Sequence, residues 1–239
     1  MGKLVAYSGF STSNYLEQPY NSDLDFGTGD FRVMGWFKTS TSSVQRIAGR
    51  NDDSVSAKRW SVYTTGGTIS LYTRDGATSV CTKPIAHNTW FHFAARRMDG
   101  NMQVFVNGSG GSVVLSSVDV TVTGNQSLYV GCENFGAGID SPATLSSIAL
   151  LRISATAPTA SQIAKIYEDE KVLFQENAQA TLYGTSDAVT ALAHDSDTNL
   201  LHVGTSSGRS VFSGLRRVDN TTDAVGSCIS ASNNLVVED

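Results

Sequence analysis

Hydrophobic and polar positions alternate in short runs along the chain up to about residue 155. The clearest run, residues 30–39, places Phe31 and Val33 on one face of a strand and Met34 and Trp36 on the other. Because successive side chains of a β-strand point to opposite faces, this spacing predicts a strand. Comparable runs recur at short intervals and predict a chain built mainly from short strands.

Glycine pairs and Asp-Gly steps separate these runs. Residues 59–76 form two runs joined through Gly66-Gly67, and residues 88–109 form two more joined through Asp99-Gly100. Both glycines of a pair can take the positive φ that a two-residue hairpin turn demands. Many short strands with turns at this spacing indicate an antiparallel sandwich or barrel.

The pattern changes after residue 157. Apolar residues at helical spacing predict a helix from about 160 to 174, and Thr159 with Gln162 has the spacing of a capping box. Three further strands are predicted at 188–194, 200–205 and 209–218, with polar turns between them.

Composition narrows the class of function. The 239 residues are 40% hydrophobic and only 16% charged, with a net charge of −5. This charge does not indicate a basic surface for binding nucleic acid or an anionic membrane. Three cysteines without a Cys-x-x-Cys motif predict small buried thiols rather than a disulfide framework or a zinc site. No apolar run approaches a signal peptide or a membrane span, and we expect the protein to fold in a cytoplasm.

Residues 10–170 resemble the concanavalin A-like lectin/glucanase superfamily, in particular its laminin-G-like branch. The resemblance rests on "GDFRVMGWFKT", "RIAGR", "WSVYTTGGTISLYTRDG", "TWFHFAARRMDGNMQVFVNGS", "SLYVGCEN" and the closing "LSSIALLRISATAPTASQIAKIYE". It implies an all-β fold, an antiparallel jelly-roll sandwich closed by one C-terminal helix. The strands predicted from the pattern over 188–218 add a small β-meander. The domain boundaries we expect are 1–157 for the jelly roll, 158–177 for the closing helix and 178–239 for a meander that serves attachment or oligomerisation.

The chain departs from the family where catalysis or calcium binding would be sought. The laminin-G-like pattern usually has an acidic pair in its last strand, and residues 145–150 contain no acid here, which weakens the transfer of the family's calcium site. Glycosidases need two carboxylates across the scissile bond, and no strand carries such a pair. The one tight acidic run, residues 168–170, falls on the predicted helix. We therefore expect no enzyme activity and no resident cofactor. Calcium binding by loop residues stays a possible exception.

Loop residues and aromatic side chains next to the loops are the remaining candidates for binding. Oxygen-rich side chains suit calcium, and aromatic rings suit stacking on sugars. Trp60 also alternates with Val62, and this alternation favours a core position over sugar stacking. The candidate ligand-binding residues are Asn51, Asp52, Asp53, Trp60, Tyr72, Asp75 and Asn134.

Residues 188–220 resemble one β-propeller blade and also segments that end bacteriophage tail and fibre proteins. One such sheet cannot bury both faces alone, so it needs a cover. We expect a non-catalytic virion structural protein, a capsid decoration, head fibre or tail-attached adhesin, assembled in the host cytoplasm. Its expected partners are other virion proteins and copies of itself, with threefold symmetry favoured by the resemblance. The alternatives are an adhesin module for host surface polysaccharide and a polysaccharide-degrading enzyme.

Overall fold

The computed structural model describes residues 6–52, 58–122, 126–134, 138–174, 182–185, 188–214 and 216–226. Its contacts divide the chain into two compact units, Met1–Lys171 and Val172–Asp239. No helix in these ranges is long and apolar enough to cross a membrane.

The described residues of the first unit form fifteen strands, one α-helix and a short 3-10 helix, Ser22–Leu24. A second 3-10 turn, Lys171–Leu173, follows the α-helix. The elements in chain order are β1 (Tyr7–Ser8), β2 (Leu16–Gln18), β3 (Phe31–Thr39), β4 (Gln45–Asn51), β5 (Arg59–Thr65), β6 (Thr68–Asp75), β7 (Ala77–Pro84), β8 (Phe91–Met98), β9 (Asn101–Val106), β10 (Ser109–Gly110), β11 (Val114–Leu115), β12 (Leu128–Val130), β13 (Glu133–Asn134), β14 (Ile139–Asp140), β15 (Ser146–Ser154) and α1 (Ala160–Glu170).

Two antiparallel sheets form the sandwich. The seven-stranded sheet has the order β1-β15-β3-β8-β9-β10, with β11 also paired to β9, and the six-stranded sheet has the order β2-β12-β4-β5-β6-β7. The strands β13 and β14 pair separately as a small hairpin. The predicted all-β jelly-roll sandwich with one helix is therefore confirmed.

The predicted hairpins place apolar residues between the sheets. Thr65 pairs with Thr68 around Gly66 and Gly67, which both have positive φ (56° and 78°), as the turn prediction required. Alternate residues of each strand then face one continuous core. That core includes Phe31, Val33, Phe37, Trp60, Val62, Ile69, Leu71, Phe91, Phe93, Ala95, Met102 and Val104.

Helix α1 covers the other side of the seven-stranded sheet. Met34, Ala94 and Phe105 lie side by side on β3, β8 and β9, and Ile163 of the helix packs against them. Thr159 accepts a hydrogen bond from the Gln162 backbone N–H, and the Gln162 side chain accepts one from the Thr159 N–H. The predicted capping box is confirmed, and the α-helix ends at Glu170, with the 3-10 turn continuing to Leu173.

A buried histidine lies between this sheet and the helix. The His92 ring is fully buried, edge-on to Trp36 with centroids 5.5 Å apart and 6.2 Å from the Tyr167 ring. Among the described residues, neither nitrogen of the His92 ring has a hydrogen-bond partner. Burial, assisted by the charge of Arg152, lowers the pKa of His92 to about 4, so the ring is neutral at pH 7.

One buried arginine ties three loop carbonyls to β8. Arg97 is fully buried, and its guanidinium donates to the carbonyl oxygens of Gly29 (2.8 Å), Val118 (2.6 Å) and Gly27 (2.6 Å). The planar guanidinium has enough donors to satisfy several carbonyls at once. Arg97 is therefore a structural residue of the jelly roll.

The second unit contains a four-stranded antiparallel sheet in chain order, β16 (Val189–Asp195), β17 (Leu200–Thr205), β18 (Gly208–Ser213) and β19 (Arg216–Thr221). We predicted three strands, the last over 209–218. That prediction is wrong because Gly214, with φ 61°, turns the chain and makes two strands of the run.

Candidate functional site

Polar side chains of three neighbouring strands gather on the side of the six-stranded sheet that faces away from the core. Trp60, Val62, Ile69 and Leu71 point inwards, so the residues that alternate with them point outwards. We call this surface the arginine face. It consists of Arg46, Arg59, Ser61, Tyr63, Ser70, Tyr72 and Arg74.

A carboxylate anchors one end of the arginine face. Arg46 Nη1 lies 2.9 Å from Glu133 Oε2, and the Ser61 hydroxyl donates to the same oxygen at 3.1 Å. Glu133 is only 1% exposed. Burial raises the pKa of its carboxyl, against the lowering effects of Arg46, Arg59 and Ser61. The hairpin of β13 and β14 is thus fastened to β4 and β5.

Two tyrosines of the face carry arginines over their rings. The guanidinium of Arg46 lies 4.7 Å from the Tyr63 ring centroid, and that of Arg59 lies 4.4 Å from the Tyr72 centroid. Such cation–π contacts hold each ring in place. Burial alone would raise the pKa of the Tyr72 phenol, but hydrogen bonds from Thr78 and Arg59 and the charges of Arg59 and Arg74 lower it overall.

The strand register sets two arginines directly opposite each other. Arg59 on β5 and Arg74 on β6 are Cα partners, as are Ser61 and Tyr72. Directly opposed side chains of an antiparallel pair have Cβ atoms about 5 Å apart. The two guanidinium groups therefore extend from neighbouring points on the same face.

Two of the predicted binding residues have different surroundings. Trp60 is fully buried in the core beside the rings of Phe26 and Phe31, so it offers no surface to a ligand. The core interpretation of its alternation with Val62 is the one that the structure supports. Tyr72 lies on the arginine face and remains partly exposed.

Asn51 and Asn134 meet each other at the edge of the hairpin. The Asn51 side-chain N–H donates to the Asn134 carbonyl at 3.0 Å, and the Asn134 side chain donates to the Tyr129 hydroxyl at 3.2 Å. The backbone N–H of Asp52 donates to the Lys58 carbonyl at 2.9 Å. Asp53 lies outside the described residues.

Asp75 binds a lysine. Its carboxylate lies 3.4 Å from Lys58 Nζ, which also lies 2.6 Å from Asp119. Among the described residues, no three or more His, Cys, Asp or Glu side chains are arranged to hold a metal ion. The predicted loop oxygens are therefore not gathered into one cation site in the described part of the chain.

Glu133 and Asp140 are a carboxylate pair that the sequence analysis missed. They are directly opposed across the β13–β14 hairpin. Glycoside hydrolysis needs two carboxyl groups that both reach the scissile bond. Asp140 is exposed, but Glu133 is buried and bound by Arg46 and Ser61. The pair therefore lacks the access that a glycosidase requires.

A second polar region is a groove of about 430 Å³ between α1 and the ends of β3 and β15. Two of its cations already have carboxylate partners, because Arg152 binds Glu170 and Lys165 lies 2.8 Å from Asp169. The charges of this groove are thus largely used within the protein.

The arrangement described so far defines a class of protein: a lectin-like jelly roll of the carbohydrate-binding type. A family model of the concanavalin A-like lectin/glucanases superfamily matches residues 10–164. The chain belongs to this superfamily, and the resemblance identified from the sequence is confirmed. No curated protein matches the chain in sequence.

Solved structures with the same fold are mainly carbohydrate-binding or receptor-binding domains rather than catalytic ones. The Ruminococcus gnavus IT-sialidase CBM40 bound to α2,3-sialyllactose is 11% identical, with a TM-score of 0.53, over 70% of this chain and 100% of that one. The receptor-binding domain of botulinum neurotoxin C/D mosaic serotype is 12% identical, with a TM-score of 0.53, over 88% and 54%. Mouse laminin α1 domains LG4-5 are 13% identical, with a TM-score of 0.52, over 66% and 44%. At these identities the likeness shows the fold alone.

Proposed function

We propose that this chain is a carbohydrate-binding module and that the arginine face contacts the glycan. The observation that carries the proposal is the row of outward arginines and tyrosines across β4, β5 and β6. Sugar rings present apolar C–H faces and hydroxyl edges, so a sugar-binding surface combines aromatic rings with fixed hydrogen-bonding groups. Tyr63 and Tyr72 supply the rings, and the arginines supply the polar groups.

Two of the similar structures support this proposal. One is a module bound to a sialylated trisaccharide and the other is a receptor-binding domain, both with the same sandwich. The inaccessible carboxyl of Glu133 also favours binding over hydrolysis.

The test is a glycan array probed with the full chain, followed by calorimetry on the best ligand. Tyr72→Ala removes a ring of the arginine face, and Tyr7→Ala removes an exposed ring from β1 of the other sheet. We expect Tyr72→Ala to weaken binding about tenfold or more, since aromatic side chains dominate such contacts. Tyr7→Ala should bind like the parent. Absence of any bound glycan, or equal affinity of the two variants, would overturn the proposal.

We also propose that the four-stranded sheet is the attachment segment, as expected for a bacteriophage virion protein. The supporting observation is its edge strand β16, which exposes Val189 and Leu192, the latter at 65%. A sheet edge with apolar side chains is a template for pairing with another chain. Placement in a capsid or tail, and a trimeric order, remain predictions from the sequence.

Lysine on an edge strand opposes such pairing. Leu192→Lys should therefore dissociate oligomers of the full chain, measured by light scattering after gel filtration. Leu115→Lys, at an exposed leucine of the jelly roll, is the matched control and should leave the mass unchanged. A monomeric parent chain that also fails to bind purified virions would refute the attachment role.

A further inference from the structure

The groove between α1 and the ends of β3 and β15 has an apolar floor. Met34 on β3 is buried, and Ile166 of the helix packs against the cluster that contains Met34. Ala157 and Pro158, from the loop between β15 and α1, also line this groove of about 430 Å³. Ligand pockets combine such an apolar lining with a few polar groups, and their volumes begin at about 300 Å³. The groove is therefore large enough for a small organic molecule.

Helix periodicity brings polar side chains to the rim of this groove. Gln162, Lys165 and Asp169 line it from one face of α1, since residues three and four positions apart lie on the same side of a helix. The capping box uses the side-chain oxygen of Gln162 and not its amide nitrogen, which is a hydrogen-bond donor. The rim therefore offers donors above an apolar floor.

Most of the positive charge at this groove is offset by nearby carboxylates. Arg152 and Lys165 each form an ion pair with an acidic residue of α1. Arg96 lies directly opposite Arg32 in the register of β3 and β8. Burial lowers the pKa of Arg96, and the negative charge of Asp30 acts against this lowering. Three of the four cations at or beside the groove thus have a carboxylate that interacts with them.

Arg32 is the fourth cation, and it has no carboxylate partner in the part of the chain that the structure describes. Its Nη1 atom donates to the Thr156 hydroxyl at 3.3 Å and to the Thr156 carbonyl at 3.5 Å, both long for such bonds. Its Nε atom is buried and has no acceptor among the described residues. A guanidinium has five N–H donors, so Arg32 keeps several for another acceptor.

We propose that this groove binds a small organic carboxylate, with Arg32 bound to the carboxylate and the apolar part of the molecule on Met34 and Ile166. The planar guanidinium matches the two oxygens of a carboxylate with two parallel hydrogen bonds. The Gln162 amide at the rim is a further donor to the same group. The groove lies on the seven-stranded sheet and the arginine face on the six-stranded sheet, so this site is separate from the proposed glycan surface.

The experiment titrates the full chain with benzoate and with benzyl alcohol, a neutral molecule of the same size, and follows backbone amide shifts by NMR. We expect benzoate to shift the amides of residues 32–34 and 156–166, with a dissociation constant on the order of 1 mM. Benzyl alcohol should bind about tenfold more weakly, because hydrogen bonds to a charged group contribute about one power of ten or more. Shifts confined to residues 59–74, or none at 10 mM benzoate, would overturn the proposal.

Three variants separate the roles of the cation and the floor. Arg32→Gln should reduce the affinity for benzoate to that for benzyl alcohol and leave the neutral probe unchanged. Arg216→Gln, on β19 of the second unit, changes the net charge equally and should keep the full preference for benzoate. Ile166→Ala should weaken both probes by a similar factor, since it removes apolar contact alone. A preference for benzoate that survives in Arg32→Gln would overturn the assignment of Arg32.

Two further measurements test the class of ligand and the independence of the site. Phenyl phosphate carries more negative charge on a similar ring, and tighter binding of phenyl phosphate than of benzoate would overturn the carboxylate assignment. A glycan identified on the array should leave the affinity for benzoate unchanged, and displacement of benzoate by that glycan would overturn the separate site. Loss of benzoate binding in Arg32→Gln with unchanged glycan binding would support both sites independently.

Discussion

The neutral histidine under helix α1 predicts a pH-dependent stability that one substitution removes. His92 is buried against Trp36 and Tyr167, and its ring nitrogens have no hydrogen-bond partner in the part of the chain that the structure describes. The charged groups around His92 are Arg152 on β15 and Glu170 on α1, which form an ion pair. The carboxylate of Glu170 also accepts a hydrogen bond from the Trp36 indole N–H. Protonation of the ring would place a second cation beside Arg152 in this buried layer.

The magnitude follows from the difference between the native and unfolded pKa of His92. The unfolded value is 6.5 and the native value about 4. Between these values the unfolded chain binds a proton that the native protein does not bind, so stability falls as the pH falls. At about 1.4 kcal/mol per pKa unit, the loss between pH 7 and pH 4 is roughly 3 kcal/mol. The contribution is fully present above pH 6.5.

The assay is urea unfolding of the parent and His92→Leu at pH 7 and pH 4. Leucine has a similar volume and no titratable group, and it replaces a ring whose nitrogens make no hydrogen bonds. Carboxylates also titrate over this range, but they do so equally in both proteins. The parent should therefore lose about 3 kcal/mol more than the variant. Equal losses would show that the ring is protonated or solvated in the native state and would refute the reasoning.

Further predictions concern the jelly roll and its helix. Arg97→Met leaves three carbonyls without donors and should lower the free energy of unfolding by about 4 kcal/mol, measured in urea; a loss below about 1 kcal/mol contradicts it. Gly131→Ala places a Cβ atom 2.1 Å from the Phe10 ring at φ +79° and should lower the free energy of unfolding by about 3 kcal/mol. Gly76→Ala, at φ +66° with no atom near the new Cβ, should lower it by only about 1 kcal/mol. Thr159→Ala removes the helix cap and should cost about 1 kcal/mol in thermal unfolding; an unchanged melting temperature would argue against the cap.

Local chemistry was enough to predict most of the first unit. Gly66-Gly67 and Asp99-Gly100 mark their hairpins because few residues other than glycine adopt positive φ there. Thr159 and Gln162 mark the helix start through a hydrogen-bond pattern confined to four residues. These signals depend on neighbouring residues alone, so they are visible in the sequence.

The errors arose where the decisive partner lies elsewhere in the chain or where one residue has two interpretations. Trp60 was a candidate for sugar stacking, but the strand alternation that directs it into the core was already visible beside Val62. Gly214 was included in a continuous strand because a single glycine does not by itself reveal a turn. Glu133 was overlooked because its partner Arg46 belongs to a strand far away in sequence.

The opposed arginines show how the same reasoning could have gone further. Once the turn at Gly66-Gly67 is predicted, Thr65 must pair with Thr68, and six positions back along each strand Arg59 must face Arg74. The conflict of charge was therefore encoded in a hairpin that we predicted correctly. Individual arginines in a strand look like ordinary surface residues, and only the register shows that two of them are paired directly across neighbouring strands.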